Sequence, residues 1–348
     1  MTHFLQDVLR QPDELRGVIE LLRGEGAKPL EAAANTVRAA RHIYLTGIGA
    51  SYNAALGAAS HFHSAGYPVY LLDAAELLHF ASIPADSVLI VLSRSGRSVE
   101  IVTLLEKARA ARATVIGITN FADGALAQQA DIPLVLPVQQ DHGISANTYV
   151  SLAAGAAVLA AVVAGTFDAQ LTSRLSEAIV ATGEKIPGWQ QQLAKSSWLE
   201  PGATYYFLAR GPSLASSYGA QLLWEEGVKV AAVAMGTDSF RHGPQEIVTA
   251  GMRFAMWIDD RLRQADLAVA RDLRRLGASV MLIGSGIPAD AGDLVIELPP
   301  WPSGWQFLMD IVPTQLAAEA LARLSGADCD SFRFASYIVQ GEMGLLHT

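Results

Sequence analysis

The chain has 348 residues, of which 51% are hydrophobic and 17% are charged, and its formal net charge is −9. This length corresponds to about two domains, and the composition is that of a folded protein with a sizeable core rather than a disordered chain. Because binding to a nucleic-acid backbone needs a basic face, the balance of 34 Asp and Glu against 25 Lys and Arg argues against a nucleic-acid partner.

The N-terminal segment, residues 1–27, carries charges throughout and lacks an apolar core, which predicts a helical arm rather than a secretory signal. The most apolar stretch, Val150–Gly165, is short for a membrane span and fits a buried helix better. Cys329 is the single cysteine, so the sequence excludes an internal disulfide and a metal site built from several cysteines. From these features we expect a cytoplasmic protein that does not enter a membrane.

Three blocks of sequence recur in the same order at an offset of roughly 160 residues, which is too long for a solenoid repeat. The pairs are 41–55 with 203–215, 112–119 with 277–284, and 130–137 with 292–299. The first pair contains a Gly-x-Ser turn in both copies, at residues 49–51 and 211–213. We therefore predict two copies of one α/β domain.

Within each copy, short apolar runs alternate with Gly/Ser turns and helical patterns, which predicts a parallel sheet with helices on both faces. Val88–Leu92 is predicted as a buried strand and residues 98–113 as the helix that follows it. The polar segment 166–201, with Pro187 and Gly188, is predicted as the linker. The predicted parts are an arm over 1–27, domains over 28–185 and 186–325, and a tail over 326–348.

The most informative loop is Ser93-Arg94-Ser95-Gly96-Arg97-Ser98, between the predicted strand and the predicted helix. Free amides at the positive end of a helix dipole, three hydroxyls and a glycine that permits close approach make a cradle for an oxyanion. Arg94 and Arg97 add positive charge, although we do not expect both to be ligands. Ser51 would lie at the same edge, since ligands of open parallel sheets bind at the carboxyl ends of strands. Simple helix capping explains the serines and the glycine equally well.

Neither of the two common nucleotide-binding patterns is present. The loop lacks the Gly-Lys-Ser/Thr of a Walker A sequence, and Gly47-Ile48-Gly49 lacks the third glycine of a dinucleotide fingerprint. His61 and His63 lie two residues apart in a predicted helix, so they do not share a face as helical metal ligands would. We therefore expect neither a metal nor a cofactor.

The motifs at residues 49–51, 93–98 and 242–244, in this order, resemble the pattern of the sugar isomerase (SIS) domain family in its double-domain branch. That branch includes the isomerase half of glucosamine-6-phosphate synthase, amino-sugar-phosphate deaminases, ketose isomerases and fructosamine-6-phosphate deglycases. The resemblance covers about residues 28–348. It implies two tandem SIS domains, each a flavodoxin-like three-layer α/β sandwich.

The resemblance also implies a role for each residue of the site. The phosphate of a sugar would be held by Ser51 and the loop residues Ser93, Arg94, Ser95, Gly96 and Ser98. Glu225 or Glu226 would move a proton between C1 and C2, and His242 would open the sugar ring. Glu226 fits the synthase spacing to His242 without a gap, whereas Glu225 fits the apolar pattern before the glutamate with one insertion after it. Because this histidine often comes from the neighbouring subunit in the family, we expect a homodimer.

These residue types suit the chemistry of aldose–ketose isomerisation. One partly desolvated carboxylate can perform both proton transfers through an enediol-type intermediate, and histidine titrates in the range that ring opening needs. No metal or redox cofactor is required. The alternative for the glutamates is an ordinary solvent-facing helix pair, and for His242 a structural turn before Gly-Pro.

The sequence departs from the synthase at four places. The loop Gly143–Tyr149 contains no lysine, Tyr337 stands about where the tail lysine falls, and Leu222 and Trp224 replace lysines near the helix glutamate. These losses argue against a synthase-like intermediate. The sequence also shows no glutaminase domain, so we expect no glutaminase activity.

The second copy's counterpart of the phosphate loop, Trp257–Arg261, is acidic and would repel a phosphate. We therefore expect one phosphate site per chain. Asp141 with His142, which precede the altered loop, are candidates for contact with the sugar, but a surface turn is the favoured interpretation. Arg333 and Glu342 are weaker candidates for a substrate lid.

The sequence thus predicts a phosphosugar aldose–ketose isomerase or an amino-sugar-phosphate deaminase, with a small sugar phosphate as its partner. Two alternatives stay open. One is a fructosamine-6-phosphate deglycase, which a tail without lysine also fits. The other is a non-catalytic regulator that binds a sugar phosphate, although a helix glutamate together with His242 favours catalysis.

Overall fold

The computed structural model describes residues 1–334, 336–341 and 344, and these form two compact units. The first unit contains Asp13–Ser176 and the described residues from Phe332 onward, and the second contains Met1–Pro12 and Glu177–Ser331. Glu342 lies outside the described residues. The domain limits expected from the sequence, at 28, 185 and 325, stay predictions.

The first unit is built on a five-stranded parallel sheet. The chain begins with helix α1 (His3–Arg23), which contains residues of both units. The elements that follow are α2 (Ala27–Ala39), β1 (His42–Gly47), α3 (Ala50–Ser64), β2 (Tyr70–Asp73), α4 (Ala74–His79), β3 (Ser87–Ser93), α5 (Val99–Ala111), β4 (Thr114–Thr119), α6 (Ala125–Gln129), β5 (Ile132–Val135) and α7 (Asn147–Val163). The strand order is β2-β1-β3-β4-β5.

The second unit repeats this plan. After α8 (Ala169–Lys195), its elements are β6 (Tyr205–Ala209), α9 (Leu214–Leu223), a π-helix (Trp224–Val228), β7 (Ala232–Gly236), α10 (Thr237–Arg241), β8 (Arg253–Trp257), α11 (Arg263–Arg275), β9 (Ser279–Gly284), β10 (Leu294–Glu297) and α12 (Val312–Leu324). Three 3₁₀ turns complete it, at Gly211–Ser213, Pro244–Ile247 and Gln306–Leu308. Its strands are also all parallel, in the order β7-β6-β8-β9-β10.

Numbered within each sheet, both strand orders are 2-1-3-4-5, the flavodoxin-like arrangement. The prediction of two copies of one α/β fold is therefore confirmed. In each sheet the order reverses between the first and third strands, which are β1 and β3 in the first unit and β6 and β8 in the second. The crevice at this switch point, outside the carboxyl ends of the strands, is where such folds bind ligands.

Local sequence explains why the central elements form where they do. All seven residues of β3 are buried, and its run of Val, Leu and Ile is typical of a parallel strand covered on both faces. The apolar stretch near Val150 forms α7, a helix with almost every residue buried, as the sequence predicts. In the part of the chain that the structure describes, no helix is long and apolar enough to cross a membrane.

The predicted linker does not interrupt the structure at Pro187. That proline lies inside the 27-residue helix α8. Ile186 and Trp189 on either side of it are both 2% exposed. Their burial compensates for the hydrogen bond that a proline removes from a helix.

Candidate active site

The predicted phosphate loop follows β3 and leads directly into α5. Its hydroxyls are fixed by the loop's own backbone, because Ser93 Oγ accepts a hydrogen bond from the amide of Gly96 at 3.1 Å and Ser95 Oγ accepts one from the amide of Arg97 at 3.2 Å. Both serines are buried. Ser98 is the residue that precedes α5, and its side chain does not cap the helix. The loop therefore collects hydroxyl groups at the positive end of a helix.

Gly96 is required by the conformation of this loop. Its φ is +63°, and a Cβ atom there would lie 2.8 Å from Cβ of Leu126 in α6. The carbonyl of Gly96 also accepts a hydrogen bond from the amide of Leu126 at 3.2 Å. The backbone of the loop can therefore pack this closely only without a side chain.

Ser51 lies at the same edge of the sheet as the loop. It is 9% exposed and occupies the first turn of α3, which follows β1. Since β1 and β3 are neighbours in the sheet, Ser51 and the loop flank the switch point of the first unit. The structure thus places all the predicted phosphate residues at one edge.

The two arginines of the loop both have partners within the chain. Arg94 donates to Ser145 Oγ at 2.9 Å and to the carbonyl oxygen of Tyr337 at 2.6 Å. Its guanidinium carbon lies 3.8 Å from the centre of the Tyr337 ring. Arg97 forms an ion pair with Asp123 on the surface.

Asp141 has a structural role that the sequence interpretation missed. It is 1% exposed, and its carboxylate accepts hydrogen bonds from the amides of Ala146, Asn147 and Thr148, each at 3.0 Å. These are amides at the start of α7, so Asp141 caps that helix from outside it. An acidic residue five to seven positions before an uncapped helix start is the signal that could have revealed this role.

The two candidate bases lie on the π-helix of the second unit, where the sequence predicted an ordinary helix. Glu225 is exposed, and its Oε1 accepts a hydrogen bond from Gln221 Nε2 at 3.0 Å. Glu226 is half-buried, and Lys229 Nζ donates to its backbone carbonyl and, at 2.9 Å, to the carbonyl of Ser331. Single-turn π-helices of this kind are frequent at functional sites.

The π-helix is anchored by Trp224, which is fully buried. Its ring contacts those of Tyr205, Phe207 and Trp198, with centroid distances of 5.2, 4.7 and 6.3 Å. The aromatic cluster therefore fixes the backbone that carries both glutamates.

His242 follows α10 in a tight turn. It is exposed, and its amide donates to the carbonyl of Ser239 at 3.1 Å. Gly243 then takes a φ of +132° before the 3₁₀ turn that begins at Pro244. The imidazole is therefore presented to solvent from a defined backbone position.

The switch point of the second unit has a different chemistry. Asp259 accepts hydrogen bonds from the amide, Nε and Nη2 of Arg261, at 2.9, 3.0 and 3.0 Å. Burial acts to raise the pKa of Asp259, but the hydrogen bonds and charge of Arg261 outweigh it and hold that pKa below its usual range. Both residues line a cavity of about 60 Å³.

Asp310 lines the same cavity and is 1% exposed. Burial raises its pKa to about 6, against the hydrogen bonds from Ser213 and Ser216. Ser213 occupies the position in this unit that Ser51 occupies in the first. Among the described residues, no group of three or more His, Cys, Asp or Glu side chains is arranged to hold a metal ion.

Comparison with known proteins agrees with this architecture. The model of the SIS domain matches residues 36–164. A glutamine–fructose-6-phosphate aminotransferase [isomerizing] from Pyrobaculum aerophilum is 25% identical over 348 residues, which are 95% of this chain and 56% of the relative. The corresponding protein of Aeropyrum pernix is 26% identical with the same coverage. The chain thus spans about half the length of the curated relatives it matches.

Solved structures share the fold over nearly the whole chain. Glucosamine-6-phosphate deaminase from Thermotoga maritima has a TM-score of 0.81 and 21% identity, covering 97% of this chain and 99% of its own. The C-terminal domain of glucosamine-fructose-6-phosphate aminotransferase from Francisella tularensis has a TM-score of 0.82 and 19% identity, covering 94% and 97%. Tagatose-6-phosphate ketose/aldose isomerase from Escherichia coli has a TM-score of 0.79 and 20% identity, covering 94% of each chain. Residues 36–164 thus match a SIS domain, and the doubled parallel-sheet fold of the chain is the fold of these solved structures.

Proposed function

We propose that this protein is an enzyme that moves a proton between C1 and C2 of a hexose 6-phosphate, as an aldose–ketose isomerase or an amino-sugar-phosphate deaminase. The serine-rich loop at the first switch point is the observation that carries the proposal. The names of the structural neighbours support the substrate class, since each of the three contains a sugar phosphate.

In this proposal, Ser51, Ser93, Ser95 and Ser98 bind the phosphate. A serine hydroxyl that accepts an amide hydrogen bond still has its own proton to donate. Ser93 and Ser95 are in this state, so both can direct O–H groups at a phosphate oxygen. The 13-residue helix α5 adds the positive end of its dipole.

We assign the proton transfer to Glu226 rather than to Glu225. A base for this step benefits from partial removal from water, and Glu226 is half-buried whereas Glu225 is exposed. The Glu226 carboxylate removes the proton from one carbon of the open sugar, and the resulting enediol-type intermediate takes it back at the adjacent carbon. His242 opens the ring by moving a proton between the anomeric hydroxyl and the ring oxygen.

With an amino sugar, the same proton transfer converts the C2–NH₂ aldose into a C2 imine. Water then adds to the imine carbon, and the C–N bond breaks to give the ketose phosphate and ammonia. Atoms balance with one water consumed for each ammonia released. The observable difference between the two reactions is therefore ammonia.

The test is to incubate the purified protein with glucosamine 6-phosphate, galactosamine 6-phosphate and the corresponding nitrogen-free aldose phosphates, and to measure ammonia and ketose phosphate. Glu226→Gln should lower kcat by about 10²–10⁴-fold, the range for loss of a general base. Glu225→Gln is the matched control and should change kcat by no more than a few-fold. Equal loss in both variants would contradict the assignment to Glu226.

Binding without any turnover would overturn the proposal and support the regulator instead. Turnover of a fructosamine 6-phosphate alone would support the deglycase. The homodimer expected from the resemblance stays a prediction, which sedimentation of the purified protein would test.

A further inference from the structure

The side chain of Arg94 forms hydrogen bonds with two other parts of the first unit. Its Nη1 donates to Ser145 Oγ at 2.9 Å and to the carbonyl of Gly143 at 3.4 Å, in the loop before α7. Its Nη2 donates to the carbonyl of Tyr337, and the guanidinium plane stacks on the Tyr337 ring. The donors that face these groups are therefore not directed at an anion.

The tail around Tyr337 is attached at two further points. Tyr337 Oη donates to the backbone carbonyl of Asp141 at 3.0 Å. The amide of Val99, the first residue of α5, donates to the carbonyl of Val339 at 3.1 Å. The described tail residues 336–341 thus contact the phosphate loop, the start of α5 and the segment that caps α7.

We propose that Arg94 is a positioning residue that holds the tail segment 336–341 against the phosphate loop, and that it is not a phosphate ligand. The inference rests on the proposed function, since Arg94 lies in the loop that is assigned there to the phosphate. Arg94 sets the wall of that site by fixing Tyr337, while the serines bind the anion.

The chemistry of the contact selects arginine. The flat guanidinium stacks on a ring and donates from two nitrogens to two different partners at once. A lysine would keep the charge but could neither stack face to face nor span both partners. If Arg94 were a phosphate ligand, Arg94→Lys would keep much of its function, because a lysine at that position would still attract a phosphate.

The direct readout is hydrogen exchange at the amide of Val99, which is bonded to the tail. Arg94→Lys, Arg94→Met and Tyr337→Ala should each accelerate that exchange by about tenfold, the effect of opening a locally held segment. The double variant Arg94→Met/Tyr337→Ala should be faster than either single variant but by less than the product of their effects, because the two substitutions share the stacking contact, whereas only Tyr337→Ala removes the hydrogen bond to Asp141 and only Arg94→Met removes the one to the Tyr337 carbonyl. Arg97→Met is the matched control, since Arg97 lies in the same loop and pairs with Asp123.

Exchange at the amides of β3 reports whether each variant is folded, and it should be unchanged. A second readout is the Kd for inorganic phosphate, which should stay within about threefold in Arg94→Met if the serines carry the binding. Tyr337→Phe keeps the stacking and should accelerate exchange at Val99 less than Tyr337→Ala does.

The proposal is overturned if Arg94→Met leaves the exchange of Val99 unchanged. It is also overturned if Arg94→Met weakens phosphate binding and Arg94→Lys restores it. Failure of the proposed function would look different, because the wild-type protein would then show no turnover of any sugar phosphate while the exchange results still held.

Discussion

The two sheet edges of this chain have the same topology and opposite chemistry. At the first edge, the loop after β3 presents serine hydroxyls, and Ser51 follows β1. At the second edge, the loop after β8 contributes Asp259 and Arg261, and Ser213 follows β6. There Arg261 donates its hydrogen bonds to Asp259, a carboxylate of the same chain.

The comparison shows that topology supplies the crevice and the loop sequence decides what occupies it. Asp259 and Asp310 bring negative charge to the second edge, which opposes the binding of a phosphate. The corresponding loop of the first edge carries hydroxyls and a glycine instead. The charge of these two carboxylates is thus a physical reason to expect one phosphate site per chain, and variants at both edges test it.

Gly96→Ala should have the largest effect, because it would damage the first edge sterically. The new Cβ would lie 2.8 Å from Leu126 Cβ and 3.1 Å from its amide nitrogen, at a φ of +63°. We expect the free energy of unfolding to fall by about 2–4 kcal/mol, measured in urea, with loss of phosphate binding. Gly286→Ala is the control, since Gly286 has the same φ of +63° with nothing within 4 Å. Its cost should be about 1 kcal/mol, and equal costs would show that the contact with Leu126 does not matter.

The pH dependence of stability should distinguish the two carboxylates of the second edge. Asp310 has its pKa raised from 3.8 to about 6, so its contribution to the free energy of unfolding is fully present below pH 3.8 and is lost as the pH rises through about 6. The free energy of unfolding of Asp310→Asn, relative to that of the wild type, should therefore increase by roughly 2–3 kcal/mol as the pH rises from about 4 to about 8.

Asp259 should behave in the opposite sense. Its pKa is lowered, so its contribution is present above the ordinary pKa of an aspartate and is lost as the pH falls. Asp259→Asn should therefore lose stability relative to wild type as the pH rises from acid to neutral. The same trend for both variants in urea unfolding would contradict the structure of this edge.

The equivalent serines Ser51 and Ser213 should give different phenotypes. Ser51→Ala removes a proposed phosphate ligand and should weaken phosphate binding about tenfold, with little change in stability. Ser213→Ala removes a 2.6 Å hydrogen bond to the buried carboxylate of Asp310 and should lower the free energy of unfolding by about 1–3 kcal/mol. Phosphate titration and urea unfolding of both variants decide the matter. Unchanged phosphate binding in Ser51→Ala would move the proposed site.

The sequence was informative where local pattern controls structure. The buried run at Val88–Leu92 and the apolar stretch near Val150 predicted β3 and α7, because parallel strands and enclosed helices leave continuous apolar segments. The order of the serine and glycine motifs predicted the edge that they share, since strands of one parallel sheet end on the same side.

Other features depend on distant partners and leave no local pattern. The contact of Arg94 with Tyr337 joins residues 243 positions apart. The π-helix at Trp224–Val228 is fixed by ring packing rather than by helix periodicity, and α8 passes through Pro187 because its neighbours are buried. At Asp141 the sequence indicates only a surface turn, because a cap that lies outside the helix is not visible without the fold.

The smallest effect on stability should come from Arg97, whose ion pair lies on the surface of the first edge. Arg261, which also pairs with an aspartate, is the comparison from the second edge. Arg97 pairs with Asp123, whose side chain is 71% exposed, so Arg97→Met should change the free energy of unfolding by no more than about 0.5 kcal/mol. Asp259, the partner of Arg261, is only 11% exposed, so Arg261→Met would leave a buried carboxylate with fewer donors and should cost more, about 1–2 kcal/mol. Urea unfolding at neutral pH measures both. Arg261 holds the pKa of Asp259 down, so the loss of stability in Arg261→Met should shrink as the pH falls. The small effect of Arg97→Met should stay small over the same pH range. Equal effects at both edges would mean that the carboxylate of Asp259 does not depend on Arg261, and that the second edge is not closed by its own ion pair.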